Sequence, residues 1–266
     1  MHDGVNPAIP ESAVAQAAAA IFGDALPQAE KYAELLAGAG VERGLIGPAE
    51  ADRIWERHLL NCAAVAHMLP GRCSLVDVGS GAGLPGIVLA MLLPQARVTL
   101  LEPLARRVDF LNETVAELGL TNADVLRGRA EDLAGQISAD VVTARAVAPL
   151  DKLAGLAVGL LRPGGRVLAI KGSSAEAELA KARPVLGRLG VTDARVVRTT
   201  SPGGGATATV VTFTAPDHHR GSAPQGNRNA GHAPGRGPGA RGARAGQAGP
   251  PPAGRRGRPN SRRGGG

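Results

Sequence analysis

One run constrains this chain more than any other: residues 75–86, LVDVGSGAGLPG. Leu75, Val76 and Val78 are aliphatic or β-branched and predict a short buried strand. Asp77 lies near its carboxyl end, and Gly79, Gly81 and Gly83 follow at alternate positions. Pro85, with its fixed φ, suits the first turn of a helix. The apolar run 86–93 continues that helix and Pro94 ends it. Strand, glycine turn and helix make the first unit of a doubly wound α/β domain, which binds its ligand at the strand's carboxyl end.

Two ligands compete for such a loop. Residues 81–86 fit the dinucleotide pattern G-x-G-x-x-G, which is weak by itself. The longer pattern from Asp77 to Gly83, acid-x-G-x-G-x-G, points to S-adenosylmethionine (SAM). A carboxylate beside the loop repels a pyrophosphate, which wants bare N–H groups at a helix amino terminus. SAM instead carries an α-ammonium and a sulfonium that Asp77 can attract, and glycines let the backbone come close to it. The next strand, 97–101, ends in Glu102, placed to accept both ribose hydroxyls. An NAD site puts an acid in the same place, and the plainer reading is a surface charge before the helix opened by Pro103.

In chain order, residues 1–10 should be loose and Ser12 should cap a helix over 13–22. A second helix is expected over 28–37, and a long third one over 49–69 from the spacing of Ile54, Trp55, Leu59, Val65, Met68 and Leu69. These form a helical cap, residues 1–70, ahead of a core at 71–215. Arg53, Trp55, Arg57 and His58 read either as RNA contacts or as core and solvated face. A helix at 109–118 leads to a strand at 123–127 and then Glu131, either a holder of an adenine amine or a helix-start carboxylate. The strand at 139–143 runs to Arg145, and after a helix at 150–161 the strand 166–170 ends at Lys171. Two cations thus sit on one edge of the sheet, and an arginine there needs an acid or a ligand to face. Segments 193–199 and 206–213, joined by SPGGG, predict an antiparallel hairpin. The expected fold is therefore α/β: a class I SAM-dependent methyltransferase, Rossmann-like, with a mostly parallel seven-stranded sheet closed by that hairpin. Dinucleotide domains add parallel strands instead.

The last fifty residues differ in kind. Residues 217–266 hold ten arginines, one acid and fourteen glycines, with no apolar side chain larger than alanine or proline. Such a stretch cannot bury enough apolar surface to offset its ordering entropy, so the tail from 216 is expected to be disordered. The whole chain carries +7. With the tail's ten cations and one acid set aside, residues 1–216 carry a net −2, so the folded part should meet nucleic acid through a local patch. Cys62 and Cys73 show no metal-ligand spacing, no apolar run reaches membrane length, and no secretory signal is visible. The expectation is a cytoplasmic protein without metal or membrane.

Several stretches together resemble the RsmG (GidB) family of bacterial 16S ribosomal RNA guanine-N7 methyltransferases. They are ERHLLN at 56–61, VDVGSGAGLPGI at 76–87, LLE at 100–102, RRVDFL at 106–111, RAE at 129–131, TARAV at 143–147 and IKG at 170–172. The resemblance implies methyl transfer from SAM to a guanine N7, with 16S rRNA or the small subunit as partner. It also implies cofactor contacts at Gly79, Leu84, Ala130, Glu131 and Arg145. Asn61 stands where the family often has Asp, and the tail is not a general family feature. Guanine N7 has an in-plane lone pair and no proton to lose, so no catalytic acid or base is assigned. Arg145 and Lys171 are candidates to hold a phosphate or base edge, and a monomer is expected. The rival readings are a methyltransferase for another RNA or a small molecule, and a non-catalytic RNA-binding protein.

Overall fold

The apolar segments alternate strand and helix, and each strand must be covered on both faces. In the computed structural model, which describes residues 13–202 and 204–217, seven strands form one sheet in the order β3-β2-β1-β4-β5-β7-β6. They are β1 (Ser74–Val78), β2 (Arg97–Glu102), β3 (Ala123–Arg127), β4 (Ala139–Arg145), β5 (Leu161–Lys171), β6 (Arg195–Thr200) and β7 (Thr207–Thr214). The first five are parallel, and β7 runs antiparallel between β5 and β6. The chain order reverses at β1 and β4, so the crevice for a ligand opens above their carboxyl ends.

The pleat sorts side chains between the two faces. Leu75, Leu100, Val141, Leu168 and Ile170 join a core built with α1 (Ala13–Phe22), α2 (Leu26–Leu35), α4 (Gly86–Leu92) and α5 (Ala105–Glu117). Val76, Val78, Leu101, Val142, Val167 and Ala169 face α6 (Leu150–Leu160) and α7 (Ala175–Arg188). The helical cap shares the first of these cores with the sheet; Trp55 lies in it, 5% exposed, edge-on to Phe22 with ring centroids 6.1 Å apart. Trp55 is therefore a packing residue.

The expected long helix at 49–69 is not one regular helix. A 3₁₀ stretch at Pro48–Arg53 passes into a π-helical stretch at Ile54–Leu60, then the single turn α3 (Asn61–Ala63) and another 3₁₀ turn at Ala66–Met68. Buried Ile54 and Leu59, and buried Trp55 and Leu60, are five residues apart, and the wider π turn stacks each pair on the core side. Three boundaries also move. β4 continues through Arg145, α5 begins at Ala105, and β5, expected from residue 166, already starts at Leu161, where the register with β4 shifts between Ala139 and Val141. The Ser12 cap, the loose first ten residues and the tail from 218 onward lie outside the described residues.

Candidate active site

Asp77 does not face the crevice. On β1 it shares Leu75's side of the sheet, and its side chain turns under the glycine loop, fully buried. Its Oδ2 accepts from the Ser80 hydroxyl at 2.5 Å and the Gly86 N–H at 3.0 Å, and its Oδ1 from the Thr143 hydroxyl at 3.3 Å. Those donors favour the carboxylate, but burial outweighs them and pushes its pKa up to about 6. Asp77 thus pins both ends of the loop, a structural role in place of the expected attraction of cofactor cations.

The glycines divide the work. Gly79, at φ +63°, lines the ligand cavity, and a Cβ there would sit 2.9 Å from the Val147 side chain. Gly81 donates its N–H to Glu102 Oε2 at 3.0 Å. Gly83 has no room for a Cβ, which would collide with Ile87 and fall 2.9 Å from the Tyr32 hydroxyl. Leu84 is buried in the core under the cap and does not line the cavity. Tyr32 of α2 donates its hydroxyl to the Ala82 carbonyl at 2.7 Å and so ties α2 to the loop.

A cavity of about 790 Å³ lies beside this loop, lined among others by Gly79, Glu102, Leu104, Ala130, Glu131 and Val147. Glu102 is 1% exposed; its Oε1 accepts the Leu104 N–H at 3.0 Å, and Arg107 Nη1 is 3.7 Å from Oε2. Each carboxylate oxygen takes one backbone N–H in this way and keeps acceptor capacity for a ribose hydroxyl. Leu104 and Val147 are the two exposed large hydrophobic side chains among the described residues, and both border this cavity. Apolar walls, a close-approach glycine and a hydrogen-bonded acid have the chemistry to fit an adenosyl group, and Ala130 and Glu131 line the same cavity.

A second cavity, about 1020 Å³, adjoins the first, and residues 146–148 line both. Ala146 holds φ +54°, a left-handed conformation uncommon for a residue with a Cβ, at this shared wall. Arg145 and Lys171 both line the second cavity, but the pleat sends them to opposite faces. Lys171 follows Val167 and Ala169 to the α7 side, donating to Glu178 and to the Ala148 carbonyl, each at 2.8 Å. Arg145 follows Val141 and Thr143 to the cap side, where Nη1 donates to the Arg57 carbonyl at 3.2 Å and Cys62 Sγ at 3.3 Å, and Nη2 meets His58 Nδ1. Arg145 is therefore placed at the second cavity and not in the lining of the first.

Arg57 and Asn61 line the second cavity from the cap, and the Asn61 amide donates to the Thr207 carbonyl at 2.9 Å. His58 is buried behind them, touching Arg145 rather than open to solvent. Sequence reasoning passed over Asp151, in the first turn of α6, which lines this cavity and has one buried carboxylate oxygen, Oδ1, without a hydrogen-bond partner among the described residues. Its signal was the acid at a helix start, where the helix's positive end steadies it. No group of three or more potential metal ligands occurs among the described residues, and none of their helices is long and apolar enough to cross a membrane.

Comparison with known proteins gives a consistent picture. The family described as rRNA small subunit methyltransferase G (GidB) matches residues 25–202. The ribosomal RNA small subunit methyltransferase G of Thermobifida fusca is 58% identical over 182 residues, covering 68% of this chain and 77% of its own. That of Mycolicibacterium smegmatis is 55% identical over 203 residues, covering 74% and 83%. That of Streptomyces avermitilis is 55% identical over 178 residues, covering 66% and 75%.

Proposed function

Since the chain belongs to the GidB family of small-subunit ribosomal RNA methyltransferases, we propose that it carries a methyl group from SAM to N7 of one guanine in 16S rRNA. The observation that carries this reading is the pair of cavities sharing residues 146–148 above the carboxyl ends of β1 and β4. The first suits the cofactor and the second a nucleobase with its phosphate.

When bound, SAM supplies an electrophilic methyl on its sulfonium. Glu102 orients the ribose, Gly79 lets the backbone approach, and Leu104 and Val147 cover the adenine. In the second cavity Arg145 and Arg57 offer donors to the RNA strand, while Lys171 is engaged by Glu178. N7 attacks through its lone pair and sheds no proton, so these residues accelerate transfer by orientation alone. Both cavities are built from one chain, which supports a monomeric working unit, and a ribosomal substrate makes the cytoplasm its place of action.

The test uses the chemistry of the product. N7 methylation makes the purine cationic, so borohydride reduction followed by aniline cuts the RNA at that nucleotide. Small subunits lacking the mark are incubated with enzyme and SAM, reduced, cleaved and mapped. One new cut in 16S rRNA is expected. Methyl incorporation that yields no cut would place the methyl on another atom and refute the N7 assignment.

A further inference from the structure

Arg145 ties the end of β4 to the helical cap through three acceptors: the Arg57 carbonyl, His58 Nδ1 and Cys62 Sγ. All three come from one short stretch spanning the π-helical turn and α3, and π turns recur where a fold serves function. His58 is only 3% exposed. Burial, then the charge of Arg145, lowers its pKa to about 4, so the ring is neutral at ordinary pH. For Nδ1 to accept from a guanidinium the ring proton must sit on Nε2. That nitrogen has no hydrogen-bond partner among the described residues, and Glu50 Oε1 is 3.8 Å from it.

A guanidinium has five N–H donors in a rigid plane. The cap engages Nη1, which faces two acceptors, and Nη2, which faces one. Nε has no partner among the described residues and is left to donate, and a guanidinium N–H suits a phosphate oxygen. Arg145 lines the second cavity and forms no ion pair with a carboxylate among the described residues.

We propose that His58 is a positioning residue: with the Arg57 carbonyl and Cys62 sulfur it fixes the guanidinium of Arg145 so that its unengaged Nε side grips a phosphate of the RNA strand in the second cavity. The inference rests on the proposed function for its ligand, and on geometry alone for the His58–Arg145 pair. It gives the cap a part in substrate binding although His58 itself touches no substrate.

The test is a double-mutant cycle on methylation of small subunits, with thermal unfolding and SAM affinity measured for each variant. His58→Leu should raise KM for the subunit about tenfold with SAM affinity near wild type, since a phosphate grip is uniform binding. His58→Asn, which can place an oxygen near the position of Nδ1, should recover most of that loss. Adding His58→Leu to Arg145→Ala should cost nothing further, because residues acting as a unit are non-additive. Additive losses, or a His58→Leu variant with unchanged KM, overturn the proposal.

A second readout needs no activity. Nitrogen-15 spectra of the His58 ring should show the Nε2-protonated tautomer, with the Nδ1 signal moving in Arg145→Ala. A proton on Nδ1, or a signal indifferent to Arg145, overturns the proposal whether or not His58→Leu folds. If the wild type leaves subunits unmethylated while the ring signals behave as expected, the functional reading fails and the positioning stands.

Discussion

Asp77 shows how a single residue can keep its importance and change its role. A carboxylate near the end of β1 was expected to attract the cofactor's positive groups, yet its oxygens are spent on Ser80, Gly86 and Thr143. Its pKa, raised by burial to about 6, has a consequence for stability. An acid whose folded pKa exceeds its unfolded value keeps its proton longer in the native state. The native state is therefore favoured most below about pH 4, loses that advantage as pH rises to about 6, and is level above. Urea unfolding of the wild type and Asp77→Asn from pH 4 to 7 should show the wild type losing up to about 3 kcal/mol relative to the variant. Parallel curves would mean that Asp77 ionises normally inside the fold.

Between elements, the helical cap acts on the glycine loop as well as on Arg145. Tyr32 of α2 fills the space beside Gly83 and bonds the Ala82 carbonyl. Tyr32→Phe keeps the ring and leaves that buried carbonyl short of a donor, a change that costs about 1–3 kcal/mol. The loss should concentrate in the loop, so hydrogen exchange should accelerate over residues 79–84 more than in β4 or β5. An even acceleration across the sheet would show that Tyr32 serves general stability and not the loop.

At the scale of the molecule, charge is divided unevenly between residues 1–216 and residues 217–266. Ten arginines without aromatic side chains offer phosphate contacts that weaken with salt and no base stacking. Removing residues 218–266 should leave thermal stability and SAM affinity unchanged and reduce RNA affinity chiefly at low ionic strength. Filter binding at two salt concentrations checks it. Equal affinity of both forms at low salt would make the tail inert toward RNA, and a truncated protein that no longer folds would show that the tail contributes to the core.

Local patterns settle what local forces settle. The run 75–86, the alternating β/α units and the glycine-linked hairpin made the mostly parallel sheet, its closing hairpin and the ligand crevice legible, because strand burial, turn chemistry and crossover handedness act over short stretches. Glu102, Ala130 and Glu131 line one cavity for the same reason: strand ends and the turns that follow them are set locally. Which way a side chain at such an end turns is another matter. The pleat put Arg145 under the cap and Lys171 against Glu178, and it hid Asp77 beneath the loop, although all three leave the same edge. Those outcomes depend on residues 57–62 and on α7, far away in the chain, meeting the sheet from opposite sides. Period-two alternation reveals that neighbours diverge; only the packed structure decides which face belongs to the cap, and so which cation lies beneath it.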